Sequence, residues 1–170
     1  MRSPLDARRS WAALGGAILG VTGLGVAAHH APALALVNES PSVPRGLYVR
    51  TFGSQPARGA MVAVPQPRAA RPYLAALGMP SDVRLLKRAA AIEGDHVCRA
   101  DDRIEVGGRS IRVRLQDGRG AALPQWSGCR RLEAGEVFLL GDTPGSFDSR
   151  HFGPVRVSDL DGVFRETLTW

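Results

Sequence analysis

The chain has 170 residues and a formal net charge of +6, which leaves room for one core domain with a terminal segment and no second domain of ordinary size. Its basic residues are mostly arginines spread along the sequence, and aromatic residues make up only 6%. No stretch therefore combines the stacking surfaces and cationic track of a nucleic-acid-binding protein, and a membrane surface is the better-matched anionic neighbour.

At the N-terminus, Arg2, Arg8 and Arg9 precede an uncharged run from Trp11 to Ala28 built largely of Ala, Gly, Leu, Val and Ile. Apolar character resumes beyond His29 and His30 as far as Val37. A helix needs about 20 apolar residues to cross the hydrocarbon core, so residues 11–37 read as a transmembrane anchor behind a basic cytoplasmic tail, residues 1–10. The arginine cluster sets the N-terminus inside and the bulk of the chain outside. A cleaved signal segment is the alternative, because Ala33-Leu34-Ala35 has the small-x-small pattern of a cleavage site. The anchor is preferred because the run is long for the apolar region of a signal peptide. Either reading exports residues 38–170, and the anchored form places them on the periplasmic face of the inner membrane. In that oxidising compartment Cys98 and Cys129 can pair, stabilising the fold by roughly 3–4 kcal/mol in the chain-entropy model. Two cysteines fall short of a metal ligand set, and no cofactor is expected.

Beyond residue 37 the pattern is that of strands. β-Branched alternation marks residues 46–50 and 61–64, and further strands are expected at 84–92, 96–99, 136–140 and 163–168. The clearest hairpin is residues 103–113, where Gly107-Gly108 permits the positive backbone angles of a two-residue turn. Only residues 72–77 read as a short helix, inside a Pro- and Arg-rich stretch, residues 65–82, with the character of an insertion or loop. The implied fold class is mainly β, with short strands folded on themselves as a sheet, barrel or sandwich.

Three polar segments stand out. Just after the apolar run, Ser40 and Ser42 are each followed closely by proline, at Pro41 and Pro44. The prolines bias the residues before them toward extended geometry, so both hydroxyls project to one side. In the second segment Lys87 shares an alternating face with Leu85 and Ala89, while Arg88 points to solvent. Burial disfavours an ammonium ion and lowers a lysine pKa, which converts it into a usable base. The structural alternative is a lysine whose stem covers apolar surface while its head reaches water. The third segment, Gly141 to Gly153, holds Ser146, Asp148 and Arg150, an alternation that places three polar groups on one side of an extended stretch. A serine hydroxyl is a poor nucleophile at neutral pH and needs a neutral amine to take its proton and return it to the leaving group. The serine–lysine pair is an established alternative to the histidine triad. The histidines compete poorly: His29 and His30 fall in or beside the membrane run, His96 lies at a strand end, and only His151 adjoins a motif.

These segments resemble, in order, the boxes of type I signal peptidases: Ser42-Val43-Pro44 after an apolar segment, Lys87-Arg88 before Glu93-Gly94-Asp95, and Gly141-Asp142 leading to Ser146-Phe147-Asp148-Ser149-Arg150 and Phe152-Gly153. Within that superfamily Asn38, Ser40, Ser42, Pro44 and Gly46-Leu47-Tyr48 are similar to the TraF-type conjugal transfer peptidases. The resemblance covers most of the chain from Asn38 to Val155. It implies a signal-peptidase-like β domain with Ser42 as nucleophile and Lys87 as general base. It also implies an oxyanion hole formed by the Ser40 hydroxyl and the Ser42 N–H. Ser146 would orient Lys87, and Asp148 with Arg150 would support the loop. Only Val43 separates Ser42 from Pro44, where ordinary signal peptidases have two residues, so the choice of Ser42 over Ser40 follows the TraF-type pattern.

The implied function is that of a membrane-anchored serine endopeptidase. It would cut an exported precursor such as a conjugative pilin after small residues, some members joining the new ends. The implied partners are that precursor, the lipid bilayer and conjugation or secretion machinery, with no nucleic acid. A non-catalytic, membrane-tethered β domain that scaffolds a secretion or pilus complex is the alternative. A self-cleaving repressor with the same dyad is disfavoured by the apolar run and by the lack of a DNA-binding helix pair.

Overall fold

A computed structural model of the chain describes residue 22 and residues 32–170. Strands dominate the regular structure, as the β-branched alternation leads one to expect: β1 (Ala35–Asn38), β2 (Gly46–Thr51), β3 (Met61–Val64), β4 (Leu85–Ile92), β5 (His96–Ala100), β6 (Arg103–Val106), β7 (Arg109–Arg112), β8 (Cys129–Arg131), β9 (Glu136–Leu140), β10 (Val155–Arg156) and β11 (Gly162–Thr169). Two helices are short, α1 (Arg71–Ala76) and α2 (Ser149–Phe152). A seven-stranded sheet runs in the order β1-β2-β11-β3-β4-β9-β10 and a four-stranded sheet in the order β7-β6-β5-β8. The larger sheet ends at β1 and β10, so the architecture is two open sheets rather than a closed barrel.

Gly107 and Gly108 adopt φ of 58° and 75°, the pair of positive angles that a tight hairpin turn demands between β6 and β7. β6 alternates exposed Arg103 and Glu105 with buried Ile104 and Val106, so the small sheet turns one apolar face inward. That face meets Ala91, Phe138 and Leu140 of the large sheet. β9 is buried along its whole length, because Val137 and Leu139 face a second cluster that includes Val62, Leu85 and Ala89. Each fully buried Val, Leu or Phe contributes about 1.5–3 kcal/mol. This doubly covered layer holds β4, and with it Lys87, between β3 and β9.

Residues 1–31, which carry the basic tail and most of the expected anchor, lie outside the described residues apart from residue 22. Among the described residues no helix is long and apolar enough to cross a membrane. The far end of that segment needs correction: Ala35, Leu36 and Val37 pair with Val49, Tyr48 and Leu47. The β domain thus starts before residue 38. Leu36 packs against the cluster around Tyr48 and Phe164, which explains an apolar residue there without a bilayer. Within residues 65–82, α1 buries Leu74 and packs Tyr73 against the core, while Gln66 Nε2 donates to the Pro80 carbonyl at 2.7 Å and closes the loop. Cys98 and Cys129 face each other across β5 and β8 and form a disulfide.

Candidate active site

Lys87 is the only lysine among the chain's 22 basic residues, and its side chain is buried in the middle of the large sheet, opposite Val62. Its Nζ lies 2.8 Å from Ser42 Oγ and donates to the Leu86 carbonyl at 3.1 Å. Burial lowers its pKa from 10.5 to about 8; Asp148 pulls the value back up, and Arg150 pushes it down. Arginine would stay charged in the same place. An amine that sheds its proton near pH 8 and sits within hydrogen-bond reach of a hydroxyl meets the geometric requirement for a general base.

The Ser42 side comes from the short loop between β1 and β2, and Asn38 holds it. The Asn38 amide donates to the carbonyls of Ser40 at 2.8 Å, Val43 at 3.0 Å and Pro44 at 2.9 Å. Its Oδ1 accepts the Ser40 N–H at 3.2 Å, an Asx turn. Tyr48, buried in β2, donates its hydroxyl to the Pro44 carbonyl at 2.7 Å. The two serines do come together, through a turn at Pro41 and Ser42 rather than the extended geometry expected. The Ser40 hydroxyl donates to Ser42 Oγ at 3.0 Å and accepts the Ser42 N–H at 3.2 Å. The two expected oxyanion donors are thus adjacent but engaged with Ser42 and with each other, and would have to turn outward to meet an oxyanion.

The third segment differs from its expected extended form. Asp148 has β-region angles and caps α2, its Oδ1 accepting the Arg150 N–H at 3.1 Å. One helical turn then brings the Arg150 guanidinium back onto the Asp148 carboxylate, at 2.8 Å from Nε to Oδ1 and 2.6 Å from Nη2 to Oδ2. Both side chains are buried. Asp148 Oδ2 also accepts the Gly141 N–H at 2.8 Å, and Arg150 Nη2 donates to the Thr143 carbonyl at 2.9 Å. Ser149 Oγ accepts from the Leu139 N–H at 2.9 Å, fixing the loop to β9.

Ser146 departs from its expected contact. Its hydroxyl is buried and makes no hydrogen bond among the described residues, Lys87 included. Backbone bonds from Ser146 N to Thr143 O and from Arg150 Nη2 to Ser146 O hold it in a turn against Gly141. A methyl group at Gly141 would fall 2.1 Å from Ser146 Oγ and 2.7 Å from the Ser42 carbonyl. Glycine is what lets these loops close, and the Asp142 N–H completes the junction by donating to the Ser42 carbonyl at 2.6 Å.

A buried serine–lysine contact wedged between a proline-flanked loop and an Asp–Arg-braced loop agrees with what the sequence as a whole resembles. The family model for signal peptidase, peptidase S26, matches residues 8–170. The chain belongs to this peptidase S26 family. A plasmid transfer protein TraF from Escherichia coli is 33% identical over 179 residues, spanning 93% of this chain and 96% of that protein. A probable conjugal transfer protein TraF from Sinorhizobium fredii is 31% identical, spanning 79% and 77%. A signal peptidase I from Bacillus caldolyticus is 32% identical over 89 residues, covering 45% of this chain and 49% of its own length. Membership places the chain among the serine peptidases of the signal peptidase type.

Around this S26 centre lie supports that sequence reasoning missed. Asn38 was visible as part of a motif, and its Asx signature, an Asn two residues before the serine it anchors, was the clue to its role. Arg88 is not simply solvated: it grips Asp142 with two bonds of 2.8 and 3.0 Å beside the Ser42 loop. Arg99 joins the Arg150 carbonyl at 3.3 Å to Gln125 Oε1 at 2.7 Å. His151, stacked on Phe147, places Nδ1 3.2 Å from the Pro124 carbonyl. Burial lowers the His151 pKa, against the pull of Asp148. No local signal announces Arg99 or His151 as braces, because their partners are distant in sequence.

Proposed function

We propose that the chain is a membrane-anchored serine endopeptidase that processes an exported precursor, such as a conjugative pilin, with Ser42 and Lys87 as its dyad. The observation that carries this reading is the 2.8 Å separation of Lys87 Nζ from Ser42 Oγ inside a site that lowers the lysine pKa to about 8. In the neutral state the amine takes the Ser42 proton as Oγ attacks the scissile carbonyl. The Ser40 hydroxyl and the Ser42 N–H turn to the developing oxyanion, where donors count most because the charge exists only in the transition state. The Lys87 ammonium returns the proton to the departing amine and leaves an acyl-enzyme. Ser146, unpartnered beside Gly141, is the group proposed to orient the lysine amine once substrate is bound. Water then releases a linear product, whereas attack by a substrate amine at the same ester joins peptide ends.

The kinship to TraF proteins supports a precursor of the conjugative type. A lipid neighbour is supported by an apolar row on the outer face of the large sheet. Val37, Leu47 and Leu168 are cross-strand partners, Val37 and Leu168 are exposed, and exposed Trp170 follows directly after β11. Contiguous exposed apolar side chains edged by Trp suit a bilayer interface.

The test is precursor processing by full-length protein in vesicles. Ser42→Ala should abolish it, and Lys87→Ala should lower the rate by about 10²–10⁴-fold, with both proteins folded by circular dichroism. Processing at the wild-type rate by both variants would sink the dyad and leave a scaffolding role.

A further inference from the structure

Lys87 and Arg88 are neighbours on β4 and so face opposite sides of the sheet. On the Arg88 side an open groove of about 480 Å³ is lined by both sheets, a size within the roughly 300–1,000 Å³ of small-ligand sites. Ala90, Val106 and Ile111 give it an apolar floor, and Arg58, Arg88, Arg109 and Arg150 contribute guanidinium groups.

Three of those four cations are balanced, Arg150 by its buried pairing with Asp148 at 2.6 Å. Arg58 pairs with Asp95 at 2.7 Å and Arg88 with Asp142 at 2.8 Å. Arg109, exposed on β7, has no ion-pair or hydrogen-bond partner among the described residues, so the groove carries one uncompensated guanidinium. A planar fork of N–H donors matches a carboxylate. One free fork over an apolar floor fits a single acidic side chain in an otherwise apolar segment, and it does not fit a polyanion. The groove also touches the reaction centre: Asp142, on its wall, donates its N–H to the Ser42 carbonyl, and Arg88 follows Lys87 in the chain. The exposed apolar row of Val37 and Leu168 lies on β1 and β11, whereas the groove lies at β4 and the small sheet. That separation favours a peptide over a lipid headgroup.

We propose that this groove is a substrate subsite that recognises an acidic residue flanking the cleaved bond, with Arg109 as the specificity-determining cation. The subsite rests on the peptidase reading given above, but binding can test it without cleavage. Fluorescent peptides spanning a small-residue cleavage site, with Asp or Asn stepped through successive positions on each side, are titrated onto full-length Ser42→Ala protein in neutral-lipid vesicles. At one position Asp should bind about three- to fivefold more tightly than Asn, as expected for one partly exposed charge pair. Arg109→Glu should reverse that preference and favour Lys. In cleavage by the otherwise wild-type protein, the same substitution should raise KM for the acidic peptide and leave kcat unchanged. Equal affinity for Asp and Asn at every position, or a preference unaltered by Arg109→Glu, overturns the subsite. So does an Arg109→Glu protein that loses only its attachment to anionic vesicles, which would make the groove a lipid site. Charge-dependent binding without cleavage of any peptide would leave the subsite standing and count against the peptidase reading instead.

Discussion

The loop bearing Ser42 and the loop bearing Asp148 meet at Lys87, yet they are held by different forces. The Ser42 loop is tied by neutral hydrogen bonds, chiefly those of the Asn38 amide to three carbonyls. The Asp148 loop is tied by an ion pair whose side chains are 0% and 2% exposed. The difference matters for the amine between them. A lone carboxylate beside Lys87 would hold it as an ammonium ion and remove the base, whereas Asp148 comes with Arg150 and their effects on the lysine oppose one another. Burial is then left as the dominant influence, and it favours the neutral amine. The charged loop gains rigidity without fixing a proton on the Lys87 amine, because its charge is delivered as a pair.

The largest effects should come from splitting that pair. Removing one partner of a buried ion pair costs about 3–5 kcal/mol, because the other charge remains buried and unpaired. Asp148→Asn and Arg150→Met should both lower the unfolding free energy by about that amount in urea titrations. Their pH profiles should part company. Arg150→Met leaves Asp148 to stabilise the ammonium and moves the alkaline rise of kcat/KM to higher pH, while Asp148→Asn moves it to lower pH. Shifts in the same direction, or none, would mean that the pair acts on Lys87 only by holding the loop in place.

Lys87 itself supplies the next effect, of opposite sign. The unfolded chain keeps this proton up to about pH 10.5 and the folded chain only up to about 8. The unfolded state therefore binds more protons between those values, and stability gains from this group as the pH rises through them. Below pH 8 the full penalty applies, about 3 kcal/mol at 1.36 kcal/mol per unit. Lys87→Met should lower the rate by about 10²–10⁴-fold yet raise stability at pH 7 by up to about that amount, with the gain shrinking toward pH 10. Thermal melts of the two proteins at pH 7 and pH 9.5 measure it. A variant less stable at both pH values would show that the lysine contacts outweigh its desolvation.

Much of this arrangement is legible in the sequence where the signal is local. Gly107-Gly108 dictates a hairpin, β3 and β9 have the bounds their apolar runs predict, and Lys87 stands out as an amine in a Leu- and Ala-rich strand. The fact that every other basic residue is arginine makes the signal sharper still. What stays hidden has no local signature. β1 is concealed because its apolar residues continue the composition of the preceding run, and only pairing with β2 shows where the domain begins. β8 is three residues long and mostly charged. α2 is a single turn, too short for helical periodicity, so its polar residues pass for strand alternation until the Asp148 cap is seen. The silence of the Ser146 hydroxyl depends on how closely Gly141 approaches, which no spacing rule encodes.

The smallest effect tests the neutral half of the comparison. Asn38 offers three carbonyls a donor and one N–H an acceptor, and two alanine-sized explanations compete for its importance: the Asx turn at Ser40, or the clamp on Val43 and Pro44. Asn38→Ala removes both and should cost about 1–3 kcal/mol, since carbonyls near the surface can take water instead. Its kinetic signature should be a fall in kcat with little change in KM, because the loop positions Ser42 for attack rather than holding substrate. Asn38→Asp separates the explanations: the carboxylate still accepts the Ser40 N–H but faces the three carbonyls with no donor. If it is as slow as Asn38→Ala, the clamp is what aims the nucleophile; if it keeps most of the rate, the turn alone suffices.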